Sequence, residues 1–455
     1  MKVFNPATEE VLADLAADTP VTVAEKAEQA REAQGAWAAV ALDRKLEIIR
    51  RFGRLLEEER PRLARILTSE VGKPVTQSEN ELKGMQGRID FFLGKAASVL
   101  AEERTHDDPR ERLAEKISHE PLGVIANVSA WNYPYYVGSN VFLPALLTGN
   151  AVLYKPSELA SMTGLAIADL LGRSGVPPEV FLAVVGDGKI GAELVRQDVQ
   201  GVFFTGSYAT GKRLAEAVAG RMIRVQMELG GKDPVYVCDD VDVPAAAEAV
   251  ADGAFYNAGQ SCCAVERVYV HERIAEPFTE AFTAVVKAFR IGDPLDPSTY
   301  LGPLARNEQR TVLERQVADA VGRGARLRTG GKRMARKGWY FEPTVLVDVN
   351  HTMEVMREES FGPIIGIQKV QDDREAEFLM NDTPYGLTAG VYSRERARAE
   401  RILERMRTGT VYWNCCDRVS PRLPWSGRGH SGLGTTLSTY GIQAFLQPKA
   451  WHLRG

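Results

Sequence analysis

A carboxylate and a thiol, each set beside glycine, are the residues of this chain best placed to do chemistry. Glu228 stands in Met227-Glu228-Leu229-Gly230-Gly231-Lys232, and Cys262 closes Asn257-Ala258-Gly259-Gln260-Ser261-Cys262, 34 residues further on. A thiolate attacks a carbonyl carbon well, and a carboxylate can draw a proton from the water that later releases a covalently held product. Neighbouring glycines let the backbone turn sharply or approach a substrate without a Cβ in the way. A lone Cys is ordinarily a small buried apolar residue. Its pairing with a glycine-framed carboxylate is what makes it a candidate nucleophile.

Three further segments end apolar runs and carry polar groups. Phe204-Thr205-Gly206-Ser207-Tyr208-Ala209-Thr210-Gly211-Lys212-Arg213 follows a predicted strand and opens a predicted helix, where backbone N–H groups and the helix dipole favour a phosphate. Its G-x-x-x-x-G-K spacing resembles an ATP phosphate loop, but Arg213 stands where a Ser or Thr must hold magnesium. It is not G-x-G-x-x-G either, so a dinucleotide site and a plain strand–helix turn both stay open on this motif. Tyr154-Lys155-Pro156-Ser157-Glu158 offers Lys155 and Glu158 either to ribose hydroxyls or to a surface salt bridge. Asn132, in Ala130-Trp131-Asn132-Tyr133-Pro134, is placed to stabilise an oxyanion or to cap the following helix.

These segments need a scaffold, and the chain has length for about two to four domains. Apolar residues make up 44% and charged residues 25%, which is ordinary for a globular protein, and the net charge of −4 points to neither nucleic acid nor an anionic membrane. The start of the chain does not read as a signal peptide, and no run approaches the roughly 18 apolar residues of a membrane span. Five cysteines, two pairs of them adjacent, and six scattered histidines suit neither a disulfide framework nor a zinc site. A cytoplasmic protein without a metal is the expectation.

Residues 20–104 read as long amphipathic helices whose many charges form a solvated face, and Asp107-Asp108-Pro109 as the tip of a hairpin or connector. Short apolar runs at 123–128, 151–154, 180–185 and 201–204 alternate with helical stretches at 139–148, 162–173, 188–197 and 209–219. That alternation predicts an α/β fold with a doubly wound, mostly parallel sheet, whose ligands bind at the carboxyl ends of the strands. A second alternating region runs from Pro234-Val235-Tyr236-Val237 to Gly409-Thr410-Val411-Tyr412, and residues 420–434 read as neither helix nor strand.

Taken in order, the motifs resemble the aldehyde dehydrogenase superfamily over essentially the whole chain. The resemblance rests on Trp131-Asn132-Tyr133-Pro134, Lys155-Pro156-Ser157-Glu158, Phe204-Thr205-Gly206-Ser207, Glu228-Leu229-Gly230-Gly231-Lys232, Gly259-Gln260-Ser261-Cys262 and Glu359-Ser360-Phe361-Gly362-Pro363. Pro424-Trp425-Ser426-Gly427, Ser431-Gly432-Leu433-Gly434 and Tyr440-Gly441-Ile442 complete it. The resemblance implies a Rossmann-like nucleotide-binding domain (1–102 and 122–230), a second α/β catalytic domain (231–435), and a small β oligomerisation element (103–121 and 436–455). The chain's end would add a strand to a neighbour's sheet in a homodimer or homotetramer.

The resemblance also implies roles. Cys262, not Cys263, is the nucleophile, Glu228 the general base, and Asn132 an oxyanion donor beside the Cys262 backbone N–H. Trp131, Lys155, Glu158, Gly206, Ser207, Gly230, Glu359 and Phe361 are the cofactor-binding set. An aldehyde would then be oxidised to a carboxylate through a thiohemiacetal and a thioester that water cleaves. Glu228 disfavours a coenzyme A-acylating relative, and the presence of both nucleophile and base disfavours a silent binding homologue. NAD is the expected cofactor, because Glu158 would repel the 2′-phosphate of NADP, the alternative.

For the aldehyde itself, the implied entrance comprises Tyr135, Tyr136, Asn140, Ser261, Trp425 and the loop 414–420. Arg418 or Arg422 is a candidate partner for a substrate carboxylate, which would make the substrate a semialdehyde acid; an ordinary surface arginine is the alternative. Cys263 and Cys416 are candidates for a reversible disulfide with Cys262, or simply fill space.

Overall fold

The chain is described here by a computed structural model covering residues 1–455. Its N-terminal region forms four helices, Pro20–Ala39, Leu42–Glu58, Arg60–Val71 and Val75–Leu100, after a small hairpin of strands Lys2–Phe4 and Val11–Asp14. Local sequence sets their limits. Thr19 caps the first helix in a reciprocal box with Thr22, with Pro20 in the opening turn where its missing N–H costs nothing. Gly72, at φ 84°, ends the third helix in a left-handed conformation that suits a residue without Cβ.

One expectation for this region is corrected. Its charges are not all solvated, because Lys45, Glu70, Lys73, Glu81 and Arg88 are buried. Glu70 accepts from the backbone N–H groups of Met162 and Thr163 at the start of helix Ser161–Ser174. Lys73 and Glu81 pair with each other in the interior. Helix Val75–Leu100 is packed on both sides, against the two preceding helices and against Pro134–Leu147, so its polar residues face protein as well as water.

The first large sheet has six strands in the order Gly432–Leu433, Arg224–Glu228, Gly201–Thr205, Val124–Val128, Ala151–Lys155, Phe181–Ala183. All neighbours are parallel except Gly432–Leu433, which pairs antiparallel with the strand that ends at Glu228. The loop read as 420–434 thus contributes a two-residue edge strand: Gly432 sits opposite Glu228, with its φ of 130° bringing the backbone close. The helix expected at 139–148 begins earlier, at Pro134, because proline favours a helix's first turn. The run at 180–185 yields only the short edge strand Phe181–Ala183.

The second sheet has seven strands, ordered Arg326–Thr329, Thr344–Val347, Ile364–Val370, Arg267–His271, Pro234–Val237, Thr388–Tyr392, Thr410–Trp413, with only the first antiparallel to its neighbour. The fold is therefore α/β with two mostly parallel sheets, both covered by helices as such sheets require. Strands Glu103–Asp108 and Leu113–Pro121 form a hairpin whose turn is 109–112, so Asp107 and Asp108 belong to the paired strand and not to the tip, and Leu446–Arg454 adds to it across nine residue pairs. No helix is long and apolar enough to cross a membrane.

Candidate active site

Glu228 is the last residue of its strand, at the carboxyl edge of the first sheet where ligands of such sheets bind. Its carboxylate is buried. Trp425 Nε1–H donates to Oε1 at 3.2 Å, while Oε2 has no protein hydrogen-bond partner. Burial raises its pKa to about 7, against smaller lowering by Trp425 and by Cys262 beside it. A carboxyl group poised near neutrality with one free, buried oxygen is equipped to take a proton from water.

Cys262 reaches Glu228 from the second sheet's side, on a turn built by unusual backbone. Asn257 and Ala258 have φ of 54°, and Gly259 follows at 69°. A Cβ at Gly259 would strike the Gly362 carbonyl, so glycine is required there. Gln260 then ties the turn down: its side chain accepts from Ala305 N–H and donates to the Asn257 carbonyl. The Gln260 carbonyl in turn accepts from Asn132 Nδ2 at 3.1 Å, which places the Asn132 amide beside the cysteine turn. The Cys262 thiol is held well above its ordinary pKa by its hydrogen bond with Cys263, by burial and by the Glu228 charge.

Two cavities meet at this point. One, of about 230 Å³, is lined by Tyr136, Asn140, Ser261 and Trp425, and by Asp417, Arg418 and Val419 from the loop 414–420, whereas Tyr135, Arg422 and the rest of that loop do not reach it. The other, of about 400 Å³, is lined by Trp131, Asn132, Lys155, Glu158, Gly206, Ser207, Gly230, Glu359 and Phe361. Only Thr205, Glu228 and Cys262 line both.

The larger cavity has the donor set of a dinucleotide site. Lys155 Nζ lies 3.9 Å from Glu158, setting a cation and a carboxylate at one part of its wall. Ser207 caps helix Tyr208–Val218 through Thr210 N–H, so that helix opens towards the cavity. Lys212 is not in the wall. It lies along the helix, 4.0 Å from Glu216, and does not offer its ammonium to this cavity. Glu359 accepts from Gly231 N–H at 3.1 Å, and burial raises its pKa to about 8. The Trp131 and Phe361 rings meet edge to face at 5.5 Å. Phe361 holds φ at 47°, fixed by Glu266, whose carboxylate accepts from the N–H groups of Ser360 and Phe361.

The chain belongs to the aldehyde dehydrogenase family. The family's model, described as "Aldehyde dehydrogenase family", matches residues 1–451. An aminoaldehyde dehydrogenase of Malus domestica is 34% identical, covering 98% of this chain and 91% of its own length. A betaine aldehyde dehydrogenase of Amaranthus hypochondriacus gives the same figures of 34%, 98% and 91%. Among solved structures, Staphylococcus aureus betaine aldehyde dehydrogenase in complex with NAD+ superposes with a TM-score of 0.96 at 30% identity, covering 100% of this chain and 91% of that one. An NADP-dependent enzyme of E. coli also gives 0.96, at 32% identity and coverages of 100% and 94%. The protein is thus an enzyme of aldehyde oxidation.

Several sequence expectations for the substrate side are corrected. Tyr135 is fully buried, its hydroxyl directed to the Leu63 carbonyl, so Tyr136 alone of that pair faces the cavity. Arg422 is not in the wall, and Arg418 lies at its edge with an exposed side chain, 3.9 Å from Asp252. Cys416 packs in the core of the second sheet, 3.3 Å from the Tyr392 hydroxyl, away from Cys262. Cys263 is beside Cys262, with its thiol donating to half-buried Asp417 at 3.0 Å.

Other wall residues escaped the sequence reading. Gln77, Asn80, Glu81 and Arg88 all come from helix Val75–Leu100, and Tyr133 and Tyr256 join them. The one signal for the helical group was spacing: Glu81 and Arg88 sit seven positions apart, bordering the apolar stripe Leu82, Met85, Ile89 and Phe92.

Proposed function

We propose that this aldehyde dehydrogenase is of the hydrolytic type, prefers NAD+, and acts through Cys262, Glu228 and Asn132. The observation that carries the reading is the meeting of two cavities at Cys262 and Glu228, one sized for an aldehyde and the other with the donors for a dinucleotide.

Lys155 and Glu158 would hold the adenosine ribose, Gly206 and Ser207 the pyrophosphate, and Glu359 with Phe361 the nicotinamide end, with Trp131 and Gly230 completing the wall. When bound, the nicotinamide supplies the hydride acceptor for the oxidation. The rest falls to the chain. Cys262 gives its proton to solvent water, and the thiolate attacks the aldehyde carbon, giving a thiohemiacetal alkoxide. Asn132 Nδ2 spends one hydrogen on the Gln260 carbonyl and keeps the other for the alkoxide, beside the backbone N–H of Cys262. Oxidation leaves a thioester on Cys262. Glu228 Oε2 takes a proton from water, hydroxide adds to the thioester carbonyl, and collapse expels the Cys262 thiolate with the carboxylic acid. A Glu228 in this position favours water over coenzyme A as the acyl acceptor.

Glu158 sets a negative charge where a 2′-phosphate would lie, which supports NAD+ over NADP+, although Lys155 offsets part of the repulsion. The free edge of strand Leu446–Arg454 supports assembly as a homodimer or homotetramer by strand addition. Five cysteines that all stand free suit a reducing compartment such as the cytoplasm.

The test is NADH formation at 340 nm with NAD+ and hexanal, benzaldehyde, betaine aldehyde or succinic semialdehyde, for the wild type, Cys262→Ala and Cys263→Ala. Turnover that survives in Cys263→Ala and vanishes in Cys262→Ala is expected. Turnover retained by Cys262→Ala would overturn the assignment.

A further inference from the structure

Arg88 is the feature of the substrate cavity that the chemistry above leaves unused. Its side chain is 3% exposed, yet it forms no ion pair with any carboxylate within 4 Å. Nε donates to Asn140 Oδ1 at 2.9 Å, Nη1 makes a long bond of 3.3 Å to the Gly84 carbonyl, and the guanidinium stacks 3.7 Å over the Tyr136 ring. Nη2 makes no hydrogen bond of ordinary geometry, the Tyr136 side chain being the polar group that meets the guanidinium. Against its lost solvation this guanidinium has only those two hydrogen bonds, the Tyr136 ring and the more distant Glu81 charge, a balance that a ligand carboxylate would complete.

Two of the surrounding carboxylates already have protein partners. Glu81 is taken up by Lys73 and by the N–H of Tyr135. Asp417 accepts from Ser261 and Cys263 through Oδ1. Tyr133 and Tyr136 stack with parallel rings 5.8 Å apart, but Lys73 covers the one and Arg88 the other. An aromatic pair that would attract a cationic tail is therefore occupied by the protein's own cations. What stays free is the donating edge of Arg88, in the same cavity as Cys262.

We propose that Arg88 binds a carboxylate at the far end of the substrate, so that the preferred aldehydes are semialdehyde acids and not the cationic aldehydes named for the plant and bacterial relatives. The inference rests on Cys262 as the nucleophile that fixes the aldehyde end. The planar fork of arginine accepts a carboxylate through two parallel N–H···O bonds, and Asn140 with Tyr136 holds it in the orientation to do so. Asp417 is the group that would favour the opposite charge, so it serves as the control.

The experiment compares kcat/KM for succinic semialdehyde, butanal and 3-aminopropanal with NAD+ saturating. The wild type is expected to favour succinic semialdehyde over butanal by about 100-fold, a ratio that Arg88→Gln abolishes mainly through KM and Asp417→Asn does not. Glutarate should compete with hexanal in the wild type while putrescine does not, a readout that stands even if Arg88→Gln fails to fold. Equal use of succinic semialdehyde and butanal, or a preference for 3-aminopropanal lost in Asp417→Asn, overturns the proposal while aldehyde oxidation stands. Absence of NADH with every aldehyde overturns the underlying reading as well.

Discussion

Replacing Glu228 with Gln separates the two halves of the proposed reaction. Gln keeps the shape and an oxygen for Trp425 Nε1–H, now at 3.2 Å from Oε1, but cannot take a proton at the position of Oε2. General-base catalysis contributes about 10²- to 10⁴-fold, so steady-state turnover is expected to fall by about 10³-fold. Stopped-flow absorbance at 340 nm should still show a burst of about one NADH per active site, because attack and oxidation are complete before water is needed. The pH profile follows from the carboxyl's pKa of about 7: wild-type turnover should rise with pH through neutrality as Glu228 ionises, and the variant should lack that limb. Removing the negative charge also lowers the barrier to ionising Cys262, whose pKa Glu228 helps to raise, so iodoacetamide should alkylate the variant faster at a given pH. Stability moves in step. Since burial raises the native pKa above the ordinary 4.5, the native state binds the proton more tightly, and this stabilisation is present below about 4.5 and lost as pH climbs through about 7. That shift corresponds to about 3 kcal/mol, so Glu228→Gln should gain in thermal midpoint relative to wild type between pH 5 and pH 8. A variant with full turnover, or with turnover and burst lost together, refutes the reasoning.

Trp425→Phe removes the hydrogen bond that holds Glu228 down, so the rising limb of the pH–rate profile should shift to higher pH; an unmoved limb would show that Trp425 does not touch the titration. Glu81→Gln leaves Lys73 buried without its counter-ion and should destabilise the protein by about 3–5 kcal/mol, seen as a lower thermal midpoint, with no change contradicting a buried ion pair. Glu158→Ser removes the charge facing a 2′-phosphate, and the ratio of kcat/KM for NAD+ to that for NADP+ should fall by about 10-fold. A wild type indifferent to the two cofactors would contradict that account.

The parts of the site legible in the sequence are those carried by short motifs in a fixed order, some of them held by backbone necessity. Gly259 is forced by the Gly362 carbonyl; Glu228, Cys262, Lys155 and Glu359 were grouped by the resemblance of the ordered motifs to aldehyde dehydrogenases, and all four line the two cavities. Side-chain direction was harder. Consecutive residues of a helix point about 100° apart, so the start of Pro134–Leu147 decides that Tyr136 faces the cavity and Tyr135 the core. Arg88 was hidden because mixed charge on an amphipathic helix reads as a wet face, whereas Val75–Leu100 is enclosed by helices on both sides. The path of the loop carrying Arg418 and Arg422 has no periodicity to read, and only the structure separates a residue at the cavity's edge from one outside it.

The most direct test of the central claim is mass spectrometry of Glu228→Gln, quenched in acid after mixing with NAD+ and hexanal, with the modified residue located by peptide fragmentation. A hexanoyl thioester on Cys262 is predicted, in an amount matching the NADH burst. An adduct on Cys263, or NADH formed with no acyl group on either cysteine, would contradict the account.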